Sequence, residues 1–215
     1  MTNILRATVT ALCLAFLASP AQAVLVTIEP DDFADGTDIS HAFAGVTLST
    51  VTGGSSGAVF SRTDAAATTG ARTFANLATD GQVDNLVWFE AGFVSGSAGP
   101  VLRVDFDTLT NFVALDFASQ DSFDGAVLRL FDAADQLIAE ISSSVGGASP
   151  NGTPITLMYT APSLSIAYVT ASGPSAQDPA HLDNLRFNLE VAEPASALLL
   201  LSGLTAFGLS RRRRR

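Results

Sequence analysis

Short segments in which apolar and polar residues alternate follow one another through the middle of this 215-residue chain. Residues 101–107 show the pattern most clearly, because charged residues separate Leu102, Val104 and Phe106. A period of two is typical of a β-strand with one buried face. Turn-forming Gly, Ser and Asp separate the segments, and none has the longer period of a helix. The pattern predicts an all-β fold, an antiparallel β-sandwich of jelly-roll type. The predicted strands are residues 24–29, 43–50, 86–90, 101–107, 111–118, 126–132, 136–142, 155–159, 164–170 and 182–189.

The N-terminus has the three parts of a secretory signal peptide. Arg6 supplies a positive charge, residues 7–18 are apolar, and Ala21-Gln22-Ala23 ends the segment with small residues. We therefore expect a cleavable signal helix over residues 1–23, cut after Ala23 by signal peptidase. The single cysteine, Cys13, leaves with it, so the mature chain has no disulfide.

The C-terminus, residues 192–215, combines an acidic-proline step at Glu193-Pro194, an apolar run over residues 195–209 and a basic end. Fifteen helical residues cover about 22 Å, and a helix over residues 194–210 can span a bilayer that thins slightly. A basic cluster beside a membrane segment stays on the cytoplasmic side, which places the rest of the chain outside the cytoplasm. The residues of this membrane stop are Arg211, Arg212, Arg213, Arg214 and Arg215.

This tail resembles the PEP-CTERM sorting signal of exported Gram-negative bacterial proteins, although Ala192 replaces the first proline of the Pro-Glu-Pro motif. The resemblance implies processing by an exosortase-type membrane protease near Glu193 and Pro194. It also implies a transient anchor in the inner membrane, followed by release to the cell surface or extracellular matrix. The association of this tail with biofilm-forming bacteria suggests polysaccharide as a partner.

The segment between the two signals is strongly acidic. Residues 24–193 contain five arginines, no lysine and all twenty-one acidic residues, a net charge of −16. Such a surface repels nucleic acid and anionic lipid, since binding either would need neutralising cations, so nucleic acid is excluded as a partner. Sixteen of the acids are aspartates, which suit both turns and calcium sites.

Residues 33–47 (FADGTDISHAFAGVT) and 181–187 (HLDNLRF) also resemble secreted lectin-like or carbohydrate-binding-module-like sandwiches. That resemblance implies a structural calcium between the first loop and the last strand. Asp183 has the parity of Leu185 and Phe187, so it is expected to point inward, where a carboxylate needs a cation or N–H donors. The predicted calcium ligands are Asp183, Glu29, Asp31 and Asp32. The alternative is a strand-end aspartate that caps backbone amides beside a solvated acidic loop.

Other candidate residues leave more than one interpretation open. Trp88 could stack on a sugar ring or belong to the core, and Tyr159 and Tyr168 are equally undecided. Residues 53–57 fit G-x-S-x-G but lie in a Gly/Ser loop rather than between a strand and a helix. Asp105 and Asp107 have a spacing that glycosidase carboxylates can use, although such aspartates are common on solvated strands.

These observations predict a non-enzymatic protein of the cell surface or extracellular matrix, with a structural or adhesive role that involves exopolysaccharide. Two alternatives stay open at this point. One is a calcium-dependent carbohydrate-binding module, and the other is a secreted glycoside hydrolase or esterase.

Overall fold

The computed structural model describes residues 22–52, 55–63, 70–77, 86–87, 93–94, 97–98, 101–118, 126–143, 154–173 and 181–191. One 3₁₀ turn, Pro30–Asp32, follows the first strand. The strands are β1 (Gln22–Ile28), β2 (Thr37–Asp38), β3 (Val46–Thr52), β4 (Ser55–Gly57), β5 (Val59–Thr63), β6 (Arg72–Leu77), β7 (Leu86–Val87), β8 (Phe93–Val94), β9 (Ser97–Ala98), β10 (Val101–Thr110), β11 (Phe112–Ala118), β12 (Val127–Phe131), β13 (Leu137–Ser142), β14 (Ile155–Thr160), β15 (Ile166–Ser172) and β16 (His181–Val191).

Most of these strands form two antiparallel sheets. The eight-stranded sheet has the order β14-β11-β16-β6-β5-β2, with β1 beside β16 and β7 beside β6. The six-stranded sheet has the order β13-β12-β15-β10-β3-β4, and β8 pairs with β9 separately. From β10 to β16 the chain passes from one sheet to the other at every connection except the β12–β13 hairpin. Pairs of distant strands therefore lie side by side, as a jelly roll requires.

The alternating apolar residues of both sheets meet in one core. Leu102, Val104 and Leu130 of the six-stranded sheet are fully buried, as are Val113 and Phe187 of the eight-stranded sheet. The rings of Phe106 and Phe187 join the sheets, with centroids 5.1 Å apart. Because the central strands of both sheets bury apolar side chains in this core, burial of apolar surface holds the sheets together. The predicted β-sandwich is confirmed.

By packing, the chain divides into two units. One comprises Leu25–Leu189 and contains the sandwich. The other comprises Met1–Val24 and Glu190–Arg215, of which the structure describes only residues 22–24 and 190–191. Within the described residues no helix is long and apolar enough to cross a membrane. Residues 22–23, the end of the predicted signal helix, belong to strand β1. The rest of that helix and the helix over residues 194–210 lie outside the described residues and stay predictions.

The predicted strands agree with the observed ones where hydrophobic alternation is strong. The segments predicted at 101–107, 111–118, 136–142 and 182–189 correspond to β10, β11, β13 and β16. The strands β2, β4, β5, β6, β8 and β9 were not predicted, because they are short and lack a clear alternation of apolar and polar residues. Residues 53–57 were expected to form a loop, but Ser55–Gly57 is strand β4 because it pairs with β3.

Candidate functional site

The outward face of the six-stranded sheet has polar and aromatic side chains in two neighbouring rows. Residues that are direct partners across a sheet point to the same side, so the register of the strands defines each row. We call these two rows the polar face. The first row is Ser49, Arg103, Thr170, Arg129 and Glu140, and the second is Thr47, Asp105, Tyr168, Phe131 and Leu137.

Three side chains of the polar face form a stack. The rings of Phe131 and Tyr168 are nearly parallel, with an interplanar angle of 9° and centroids 4.6 Å apart. The Cζ atom of Arg103 lies 3.8 Å from the centroid of the Tyr168 ring. Because β15 lies between β12 and β10, Phe131 and Arg103 approach Tyr168 from opposite sides. A guanidinium over an aromatic face is attracted by the ring quadrupole, which holds Arg103 in place.

Asp105 holds the other side of the Arg103 guanidinium. Arg103 donates from Nη2 to Oδ1 of Asp105 at 2.7 Å and from Nε to both carboxylate oxygens at 2.9 Å. These hydrogen bonds raise the pKa of Arg103 above its ordinary value, and partial burial opposes them. Both side chains are still partly exposed, 33% for Arg103 and 40% for Asp105. The pair is therefore fixed in geometry and accessible from solvent.

The hairpin between β12 and β13 lies beside the phenol of Tyr168. Oδ1 of Asp132 accepts hydrogen bonds from the backbone N–H of Ala134 and of Gln136, at 2.8 and 2.9 Å. This turn puts Asp135, which has a φ of 58°, near the phenol. Burial and the Asp135 carboxylate raise the pKa of Tyr168, while Arg103 lowers it.

A groove of about 640 Å³ lies beside the stack; Arg103 belongs to both, and Asp105 also lines the groove. Its other side is the end of β2 and the loop that follows, where Oδ1 of Asp38 accepts a hydrogen bond of 2.9 Å from the backbone N–H of Ser40. The neighbouring His41 is exposed. The residues that line the groove are Asp38, Ser40, His41, Thr47, Leu48, Ser49, Val51, Gly57, Ala58, Arg103 and Asp105.

The groove offers polar and apolar surface in similar amounts for binding. A guanidinium has five N–H donors and a carboxylate about four acceptor sites, so the Arg103–Asp105 pair retains capacity for further hydrogen bonds. The hydroxyls of Ser49 and Thr47 belong to neighbouring positions of the polar face. Such an arrangement suits a ligand with several hydroxyl groups, which both donate and accept.

The four predicted calcium ligands are not brought together. Among the described residues, no three His, Cys, Asp or Glu side chains lie close enough to hold a metal ion. Asp31 instead accepts a hydrogen bond from the backbone N–H of Ala71 at 2.9 Å and lies 3.7 Å from Nη1 of Arg72. Asp32 is exposed beside it in the 3₁₀ turn, and Glu29 precedes the turn. Calcium binding stays a prediction.

Asp183 is buried, as predicted, but the prediction that it shares the core-facing side of its strand with Leu185 and Phe187 is wrong. The register between β11 and β16 shifts by one residue between the pairs Ala114–Arg186 and Asp116–Asp183, and Asn184 has a φ of 51° at this bulge. An extra residue moves the preceding side chains to the other face. Asp183 therefore shares its face with Asp116, while Leu182 faces the core with Phe117. Its Oδ1 accepts a hydrogen bond from the backbone N–H of Asn184 at 2.9 Å.

Asp116 is the centre of a polar cluster on that face. Its Oδ1 accepts hydrogen bonds from the Thr156 hydroxyl at 2.6 Å and from the Arg186 guanidinium, and its Oδ2 accepts one from Asn184 Nδ2 at 2.7 Å. The Asp116 side chain is only 9% exposed. Nothing in the sequence pattern marked Asp116, because it alternates with apolar residues like a solvated aspartate.

Several predicted site residues lie outside the described residues, namely Trp88, Glu193, Pro194 and Arg211–Arg215. Ala23 is exposed in β1. Of the two candidate glycosidase carboxylates, Asp105 is paired with Arg103, whereas Asp107 is exposed and its backbone N–H donates to Gly45 O at 3.0 Å.

The sequence predicted the outward positions of Arg103 and Asp105 but not the site that they form. The partners Phe131 and Tyr168 come from β12 and β15, Asp38 comes from β2, and His41 comes from the loop after β2. The only signal for Tyr168 was its tyrosine identity, since the chain has two tyrosines and fourteen phenylalanines and uses phenylalanine for its core.

The chain matches no protein-family model and no curated protein sequence. Among solved structures it is similar in shape to the K2 cleaved adhesin domain of Lys-gingipain, with 14% identity and a TM-score of 0.40. That alignment covers 77% of this chain and 100% of the adhesin domain.

Two further similar structures belong to carbohydrate-active proteins. The C-terminal CBM6 of the laminarinase LamC from Zobellia galactanivorans has 12% identity and a TM-score of 0.37, over 77% of this chain and 100% of that one. The MgGH51 α-L-arabinofuranosidase has 16% identity and a TM-score of 0.43, over 79% of this chain and 26% of that one. At these scores the similarity says nothing about function, and the fold class follows from the strand pairing itself.

Proposed function

We propose that the sandwich is a glycan-binding module without catalytic activity, and that it binds polysaccharide in the groove beside the polar face. The observation that carries the proposal is the Arg103–Asp105 pair, which Tyr168 and Phe131 hold rigid at the edge of that groove. A rigid donor–acceptor pair loses little conformational entropy when it binds, so more of its hydrogen-bond energy contributes to affinity. Adjacent hydroxyls of a sugar ring match such a pair.

The terminal segments support a location outside the cytoplasm for this module. In this proposal, signal peptidase removes residues 1–23, and the tail at 192–215 holds the chain in the inner membrane of a Gram-negative bacterium. An exosortase-type protease then releases it to the cell surface or extracellular matrix, where the module attaches to exopolysaccharide. The role is structural and adhesive. Support comes from the apolar segments, the cleavage-site residues and the five terminal arginines.

Binding is tested with the full chain, solubilised in a detergent without sugar groups so that the detergent does not compete. Affinity electrophoresis against a panel of soluble polysaccharides measures binding, with and without a calcium chelator. Arg103→Met keeps an unbranched apolar stem but removes the guanidinium and its donors, and we expect it to weaken binding at least about tenfold, the size of a lost charged hydrogen bond.

The matched control is Arg129→Met, since Arg129 lies on the same polar face and pairs with Glu140 but does not line the groove. It should bind as the unaltered chain does. Equal binding by Arg103→Met and the unaltered chain, or no binding to any polysaccharide of the panel, would contradict the proposal.

Sorting is tested separately in the native host. Intact mass measurement of the chain in the culture medium should show a start at Val24 and the loss of Arg211–Arg215. A chain that stays in membranes with its arginines intact would rule out processing, whatever the result of the binding assay.

A further inference from the structure

The groove contains a single permanently charged cation among its described lining residues. Arg103 is that cation, and Asp38 and Asp105 are the carboxylates that line the groove with it. The groove is therefore net negative when His41 is neutral. A ligand with its own negative charges meets more repulsion than attraction there, because like charges in a partly desolvated site are costly.

Arg103 is also engaged on two sides, by an acidic and by an aromatic neighbour. Two of its nitrogens donate to Asp105, and its guanidinium plane lies on Tyr168. Asp105 occupies the Nε–Nη2 side of the guanidinium, so a ligand carboxylate could form two parallel hydrogen bonds with Arg103 only at its Nη1–Nη2 end. There it would share Nη2 with Asp105 and meet the repulsion of that carboxylate.

The same pattern extends over the rest of the described domain. Each of the five arginines between residues 24 and 191 forms an ion pair with a carboxylate, and the chain has no lysine. The partners are Asp35 for Arg62, Asp31 for Arg72, Asp105 for Arg103, Glu140 for Arg129 and Asp116 for Arg186. No arginine in this part of the chain offers an uncompensated positive charge to a polyanion.

We infer that the ligand of the groove is an uncharged polysaccharide, and that the Arg103–Asp105 pair excludes uronate-containing and sulfated ones. This inference rests on the proposed glycan-binding function. Asp105 acts as a built-in anion that occupies the guanidinium, so the site keeps the hydrogen-bonding capacity of arginine without its attraction for anions. Selectivity of this kind comes from a repulsive element as well as from attractive contacts.

The test compares the full chain with Asp105→Asn against a neutral glucan, a polyuronate and partially deacetylated chitin, at about 0.05 M and about 0.5 M salt. We expect the unaltered chain to bind the neutral glucan with less than about a twofold change between the two salt concentrations. It should bind the polyuronate at least about tenfold more weakly. Asp105→Asn leaves Arg103 on Tyr168 but uncompensated, so polyuronate binding should rise at least about tenfold and fall again in high salt.

Asp107→Asn is the matched control, because it removes an equal charge from the same strand at an exposed position that does not line the groove. It should leave polyuronate binding unchanged. Binding of polyuronate by the unaltered chain at least as tight as binding of the glucan would overturn this inference while leaving the proposed function intact. The same would follow if the chain bound only the partially deacetylated chitin and if that binding weakened in high salt. No binding to any of the three would overturn both.

Discussion

Replacement of Asp116 by alanine tests whether the polar cluster around Asp116, on the face of the eight-stranded sheet away from the core, contributes to the stability of the fold. The change removes the acceptor of three hydrogen bonds, from Thr156, Asn184 and Arg186. Arg186 is only 27% exposed and would lose its ionic partner. Removing one member of a buried ion pair costs about 3–5 kcal/mol, and partial solvation of Arg186 favours the lower end, about 3 kcal/mol.

Urea denaturation followed by far-UV circular dichroism measures this cost, and thermal melts should show a Tm lower by about 6–12 °C for a domain of this size. Arg186→Met, alone and combined with Asp116→Ala, completes a double-mutant cycle whose coupling energy should be about 2 kcal/mol. Glu140→Ala is the matched control, because the Arg129–Glu140 pair is 36% and 47% exposed and should contribute about 1 kcal/mol or less. If Asp116→Ala costs no more than Glu140→Ala, or the coupling is near zero, the argument from burial is wrong.

Three further outcomes follow from individual residues. Tyr168 has a raised pKa, so its contribution to stability is complete below about pH 10 and is lost as the pH rises through the raised value. Absorbance titration should show one tyrosine that ionises at higher pH than a free tyrosine does. Tyr168→Phe should remove that step and reduce the loss of stability in alkali. Gly45 has a φ of 86°, and a Cβ there would lie 2.9 Å from Cδ1 of Leu189. Gly45→Ala should therefore lower the free energy of unfolding by about 1–2 kcal/mol. Ala44→Ser, at the exposed neighbouring position, is the control and should change it by less than about 0.5 kcal/mol. The backbone N–H of Thr63 and the charge of Arg62 lower the pKa of Asp35. The contribution of Asp35 to stability is therefore present above about pH 4 and is lost as the pH falls through the lowered value. The difference in urea midpoint between Asp35→Asn and the unaltered chain should shrink in acid, and a constant difference would contradict this assignment.

Hydrophobic alternation alone was enough to predict the sandwich and the outward position of Arg103 and Asp105. A period of two specifies which side chains leave the core, whatever strand lies next to them. The terminal segments, too, are predicted from composition and order, because a membrane responds to hydrophobicity and charge rather than to tertiary contacts. The acidic, lysine-free composition likewise predicts that the protein avoids nucleic acid and anionic lipid, because net charge depends on composition alone.

Register and strand order decided the rest. Phe131, Tyr168 and Arg103 become neighbours only because β15 pairs with both β12 and β10, and no local pattern in the sequence encodes which strands pair. The bulge at Asn184 moved Asp183 to the face of Asp116, because one extra residue reverses every side chain beyond it. Parity along a strand holds only while the register is unbroken, and the register is set by the packing of the whole sandwich.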